Sequence, residues 1–214
     1  MINIKKFTFN PLQENTYILY DETGDCIIVD AGCYFSYEKE ELTRFIREKN
    51  LRPVKLVNTH CHFDHILGIT FCRTKYRVPF FAHQDDEFLI ERAVDQGDVF
   101  GVPMEPVDQP DGWISEGDRI SFGNSSMEAL HVPGHAPGSL VFYNQEQGFI
   151  LAGDVLFQGS VGRTDLPRGS YEQLIGNIKN KLLVLPDETV VYCGHGPETT
   201  IGAEKATNPF LSSE

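Results

Sequence analysis

His60, His62, Asp64 and His65 fall within six residues, His60-Cys61-His62-Phe63-Asp64-His65. Packing gives no reason for such a segment. Three imidazoles and a carboxylate offer a core little apolar area, and the imidazoles repel one another once protonated. Both side-chain types suit zinc and iron, so a cation turns the crowding into bonding. The spacing divides the set. In an extended segment residues two apart share a side, so His60 and His62 can reach one ion. Asp64 and His65 lie a step further on and point to a second. Two adjacent ions fit better than one. Cys61 alternates away from both histidines and reads as a small packing residue.

Three later segments share a second design, a strand followed by a glycine-bounded turn that carries a ligand type. They are Val132-Pro133-Gly134-His135, Ala152-Gly153-Asp154 and Cys193-Gly194-His195-Gly196. Glycine allows backbone turns that other residues resist, so a side chain can be aimed off a strand end. Each alone could be an ordinary turn. With the histidine cluster they form one candidate site.

The elements that must position these residues follow from periodicity. Residues 2–9, 15–20 and 26–30 read as strands, 38–50 as a helix and 54–57 as a short buried strand, so the histidine cluster follows a strand directly. Residues 66–76 read as a helix, 78–82 as a strand and 84–94 as an acidic amphipathic helix. Residues 96–112 hold Gly97, Gly101, Pro103, Pro106, Pro110 and Gly112 and read as a long functional loop. Strands return at 119–122, 126–131, 139–143 and 148–152. A helix at 171–183, a strand at 189–193 and a helix at 201–207 complete the chain. The mix predicts an α/β (α+β) domain of two packed sheets with helices outside.

A chain of 214 residues is expected to form one domain, residues 1–214, with a substantial core. The net charge of −13 and the lack of a basic patch argue against a nucleic-acid partner. No run of eighteen apolar residues predicts a membrane span, and the first residues lack the apolar stretch of a secretory signal. Five cysteines with no C-x-x-C pair point to a reduced, cytoplasmic setting.

The series His60-x-His62-x-Asp64-His65, His135, Asp154 and His195 resembles, in order and spacing, the metallo-β-lactamase superfamily. Val29-Asp30-Ala31-Gly32 is similar to its early motif. The segments 133–139, 152–157 and Gly162-Arg163-Thr164-Asp165 look like the glyoxalase II branch, and residues 194–200 with 208–211 look like its short single-domain bacterial members. The resemblance implies an αββα four-layer sandwich and two divalent ions, zinc first, with iron or manganese as alternatives. It assigns His60, His62 and His135 to one ion and Asp64, His65 and His195 to the other, with Asp154 bridging and Asp30 supporting the metal loop from behind. His83 and His131 match no ligand position and read as structural.

Such a pair of ions, about 3.5–4 Å apart, brings the pKa of a water between them to about 7. The resemblance implies attack on the carbonyl of a small-molecule acyl thioester such as S-lactoylglutathione, with Asp64 and Asp154 in the catalytic machinery. A thiol pKa of about 8.5 lets the leaving group depart without a strong acid. Full-length glyoxalase II enzymes bind glutathione through a C-terminal helical domain. This chain ends nineteen residues beyond His195, which leaves no room for one. Arg163, Arg168 or the long loop, with Phe100, Val102 and Met104, is the expected substitute. The alternative is a mononuclear-iron persulfide dioxygenase, which shares these motifs but uses only the equivalents of His60, His135 and Asp154. Oligomeric state is not readable.

Overall fold

A computed structural model describes residues 1–211. Strands β1 (Asn3–Phe9), β2 (Glu14–Tyr20) and β3 (Asp25–Val29) form an antiparallel meander. Helix α1 (Ser36–Glu48) crosses over to β4 (Arg52–Val57), which runs parallel to β3. Helices α2 (Phe63–Ile66) and α3 (Ile69–Tyr76) lead to β5 (Phe80–Ala82). A 3₁₀ turn (Gln84–Asp86), α4 (Glu87–Glu91) and α5 (Ala93–Val99) precede β6 (Gly112–Trp113), which completes a six-stranded sheet in the order β1-β2-β3-β4-β5-β6.

The second sheet opens with β7 (Arg119–Phe122), β8 (Ser125–His131), β9 (Leu140–Asn144) and β10 (Phe149–Gly153). A small hairpin, β11 (Leu156–Phe157) and β12 (Ser160–Val161), stands apart from it. Helix α6 (Tyr171–Asn177) runs on through a π turn (Ile178–Leu182). Then β13 (Val190–Cys193), β14 (Thr199–Thr200) and α7 (Ile201–Thr207) follow, giving the order β14-β13-β10-β9-β8-β7.

Alternation along the strands makes the layers. In β2 and β3, Tyr17, Leu19, Ile27 and Val29 face the second sheet, where Met127, Leu140, Phe142 and Leu151 meet them. Their neighbours Ile18 and Ile28 face outward and are covered by Leu42 and Ile46 of α1 and by Ile69 and Cys72 of α3. On the far side, Val141, Ile150 and Val191 are covered by Leu174, Ile178 and Ile201. Because the side-chain period is two, each central strand is apolar on both faces and needs a layer on each. The result is the four-layer αββα sandwich.

Local differences from expectation have physical causes. Helix α1 starts at Ser36 because the Glu38 carboxylate reaches back to accept from the Tyr34 and Phe35 amides at 2.7 and 3.0 Å. The helix expected at 66–76 is two helices, broken where the Gly68 amide donates to Ala31 at 2.6 Å. A Cβ at Gly68 would lie 2.5 Å from the Cys33 sulfur, so the chain can pass only as glycine. The helix expected at 84–94 is three short pieces, and residues 96–99 of the expected loop belong to α5. No helix among the described residues is long and apolar enough to cross a membrane.

Candidate metal centre

The seven expected ligands lie on strand ends, on the loops that follow them or, for Asp64 and His65, in the short helix after β4, along one edge of the sandwich. His60 and His62 follow β4, and His62 stands just before α2, whose first turn carries Asp64 and His65. His135 lies between β8 and β9, Asp154 directly after β10, and His195 just after β13. All seven converge. Nitrogens of His60, His62 and His135 form one group within 4.8 Å of one another, and Asp64, His65 and His195 form a second. Asp154 lies between the groups. Its oxygens are 3.4 Å from His65 Nε2, 3.5 Å from His195 Nε2 and 3.7 Å from His135 Nε2.

The aim of each imidazole is set by what its other nitrogen does. His135 Nδ1 donates to the Arg163 carbonyl at 2.8 Å, and His195 Nδ1 to the Leu12 carbonyl at 3.1 Å. His65 Nδ1 donates to Asp30 Oδ2 at 3.1 Å. The Thr59 hydroxyl spends its proton on Asp30 at 2.6 Å, so at 3.2 Å from His60 Nδ1 it accepts. In the neutral form of all four rings Nε2 is left with its lone pair facing inward. His62 presents Nδ1 instead, 2.9 Å from His135 Nε2. Three such lone pairs cannot satisfy one another; His135 Nε2 is also only 3.2 Å from His60 Nε2.

This arrangement fits a bound cation. His65 Nε2 and Asp154 Oδ1 are buried without a hydrogen-bond partner while facing each other at 3.4 Å. Glycine makes the approach feasible, since a Cβ at Gly194 would stand 2.1 Å from Asp154 Oδ1. The two groups also titrate differently. Burial pushes His60 well down and His62 down to about 3, and it lowers His135 too. Burial opposes the proton on His65 and His195 as well, but Asp154 and Asp64 outweigh it and both rise. Asp154 feels the reverse. Burial works to raise it, and His65 and His195 hold it well below the usual carboxylate range.

A sequence profile of the metallo-β-lactamase superfamily matches residues 9–195. The chain belongs to the metallo-β-lactamase superfamily. Among superfamily members it is 38% identical to a hydroxyacylglutathione hydrolase, GloC of Haemophilus influenzae, over the full length of both chains. Among solved structures it resembles BLEG-1, a B3 metallo-β-lactamase, at 34% identity and TM-score 0.91, covering 99% of this chain and 100% of that one. It also resembles TTHA1623, solved in a di-iron-bound form, at 37% identity and TM-score 0.88, covering 97% and 100%.

Asp30, singled out in the sequence, is buried and gives both oxygens away, to the Thr59 amide and hydroxyl and to His65. Further supports of this superfamily site are not singled out by sequence reasoning. Asn10 donates to the Gly32 and Asp64 carbonyls, and Asn58 to those of His60 and His65, all at 3.0 Å. Asn15 and the Tyr17 hydroxyl hold the Cys193 carbonyl, at 3.0 and 2.6 Å. Asp86 ties the two histidine loops together, accepting from the Cys61 amide at 2.9 Å and the Gly138 amide at 2.7 Å. Each is an ordinary polar residue in the sequence, with no spacing signal to mark it. Only its burial does so.

The expected substrate contacts divide. Phe100 and Arg163 line a cleft of about 400 Å³ that opens onto His62, Asp64, His135 and Asp154. Met104 does not. It lies in a separate groove with Tyr34 and Phe71, because the chain turns at Gly101 and packs Met104 against Gly97. Val102 is buried. Cys61 is buried in the core beneath the first sheet. His83 and His131 stack face to face at 4.1 Å with ring planes 11° apart. Asp85 joins them as a third donor type, but parallel rings point their in-plane lone pairs side by side and not at a common ion.

Proposed function

We propose that this chain is a dinuclear metal hydrolase that cleaves acyl thioesters of the S-lactoylglutathione type. The observation that carries the reading is the pair of three-residue groups with Asp154 between them. His60, His62 and His135 would hold one ion, Asp64, His65 and His195 the other, with Asp154 shared and Asp30 orienting His65 from behind. Zinc leads, with iron or manganese as alternatives. When bound, such ions lower the pKa of water to about 7 and polarise a carbonyl.

The protein's own groups do the rest. Asp64 reaches the cleft, with Oδ2 3.2 Å from His195 Nε2, and is the nearby carboxylate that can take the attacking water's proton. Among the described residues no serine, cysteine, lysine or tyrosine lines the cleft, so no hydroxyl, thiol or amine nucleophile is offered. A thiolate leaving group, with a thiol pKa of about 8.5, suits that poverty. The hydroxyacylglutathione hydrolase relative supports the substrate class. Five free, buried cysteines suit a cytoplasmic setting.

The rival reading, a mononuclear-iron persulfide dioxygenase, would employ His60, His135 and Asp154 and leave four converging side chains without a task. Elemental analysis combined with parallel turnover of S-lactoylglutathione and glutathione persulfide separates the two. Close to two transition-metal ions per chain with thioester hydrolysis is expected. One ion with persulfide-dependent oxygen consumption would overturn the reading.

A further inference from the structure

The cleft beside the ligands has a wall that the metal chemistry does not use. Phe63, Phe88, Val99, Phe100, Leu166 and Pro167 line it. Phe63 sits between His62 and Asp64 in the chain and stacks on Phe100 at 5.1 Å with 27° between the rings, so the apolar surface begins at the ligands themselves. It then runs out to solvent. Val99 is 82% exposed and Phe100 47% exposed. Charge is unevenly placed around this surface. The Arg163 guanidinium is occupied by both oxygens of Asp165 at 2.7 and 2.8 Å, the Arg168 guanidinium lies 3.9 Å over the Phe88 ring, and Arg92, Asp95 and Gln96 line the same cleft.

We infer that this wall seats the acyl arm of the thioester, and that the preferred acyl group is an unsubstituted hydrocarbon chain longer than lactoyl. The inference rests on the thioesterase reading of the same site. Two arms leave a scissile thioester, and chemistry tells them apart. Glutathione and pantetheine thiols both carry amides within a few bonds of sulfur. Laid on the stacked rings of Phe63 and Phe100, those amides would lose water against carbon, at a cost that hydrocarbon escapes, whereas Arg92 and Gln96 offer polar partners elsewhere in the cleft. An acyl chain places its first methylene next to the carbonyl, where Phe63 begins. Lactoyl puts a hydroxyl there and offers a single methyl. Each further methylene covered by the wall should improve binding about fourfold, the equivalent of about 0.8 kcal/mol.

The test has two readouts on the purified, metal-loaded protein. Turnover is measured on glutathione thioesters bearing acetyl, lactoyl, butanoyl and hexanoyl groups. Binding is measured calorimetrically with S-methyl, S-butyl and S-hexyl glutathione, which cannot be hydrolysed. Both should show a gradient of about fourfold per methylene until the wall is covered, with hexanoyl ahead of lactoyl in kcat/KM. Val99→Ser and Phe100→Ser, at exposed positions where folding is little at stake, should flatten that gradient. Hydrolysis and binding that are both indifferent to chain length, or lactoyl preferred over hexanoyl by tenfold, would overturn the inference and leave the thioesterase reading standing. No turnover of any thioester, with the alkyl gradient in binding intact, would overturn the thioesterase reading and the acyl assignment with it.

Discussion

Asp154 stands between two sets of histidines that hold protons differently: burial keeps the first set low, while Asp154 and Asp64 outweigh burial in the second. His60, His62 and His135 are held down, so they meet a cation already neutral. His65 and His195 are raised and must give up a proton first. In the chelator-stripped protein, the raised pair stabilises the fold fully below about 6.5, their ordinary value, and that contribution is lost as pH rises through their higher folded pKa. Metal binding displaces those protons. Zinc titrations in buffers of different ionisation enthalpy should show the first equivalent releasing few protons and the second releasing more, with the second affinity climbing faster with pH. Equal proton release at both steps would contradict the division. Asp154→Ala should lower metal content and cut turnover by more than the roughly 100-fold upper range for groups that only orient ligands, while circular dichroism reports an intact fold. Near-normal turnover would remove the bridging assignment. At this scale the ligands are legible in the sequence, because histidines packed around an aspartate have no rival explanation in packing. Asp86, Asn10 and Asn15 are not legible, since a polar residue without a ligand-like spacing reads as surface until burial shows otherwise.

Elements matter here mainly by where they stop. Strands β4, β10 and β13 end at one edge, and the ligands ride on the turns that follow. Those strands are readable from apolar runs and alternation. The breakage of the helices around 63–76 and 84–99 is not, because it depends on contacts from distant segments such as Ala31 against Gly68. Asp86 closes the 3₁₀ turn before α4 and joins two ligand-bearing loops through backbone amides. Asparagine has one acceptor oxygen for those two donors, so Asp86→Asn should cost about 1–3 kcal/mol, with Tm falling about 2–4 °C per kcal/mol. Burial pushes the Asp86 carboxyl from 3.8 up to about 7. Its contribution to stability is therefore full below about 3.8 and lost as pH rises through about 7. Calorimetric melts at several pH values should show the wild type losing stability across that window more steeply than the variant. Parallel curves would argue against a buried proton on Asp86.

Across the whole molecule, the two sheets arise from the first and second parts of the chain and meet in one apolar layer. The four-layer architecture follows from strands that are apolar on both faces, which is why it is legible from pattern alone. The joining of the chain's two ends is not. His195 is aimed by the carbonyl of Leu12, 183 positions earlier, and the neighbouring Gly194 carbonyl accepts from the Asn15 amide at 2.7 Å. Closing so large a loop is entropically expensive, and contacts of such high sequence separation form slowly. Refolding from urea with zinc present should give two uptake phases, the slower one abolished by His195→Ala. A single phase in the wild type would refute this order. During translation, a chain extended through His135 and Asp154 already contains every residue of the first histidine group, while the second waits for the final segment to emerge and return to the beginning. If both groups are needed, as proposed above, turnover waits until His195 has emerged and folded back to Leu12.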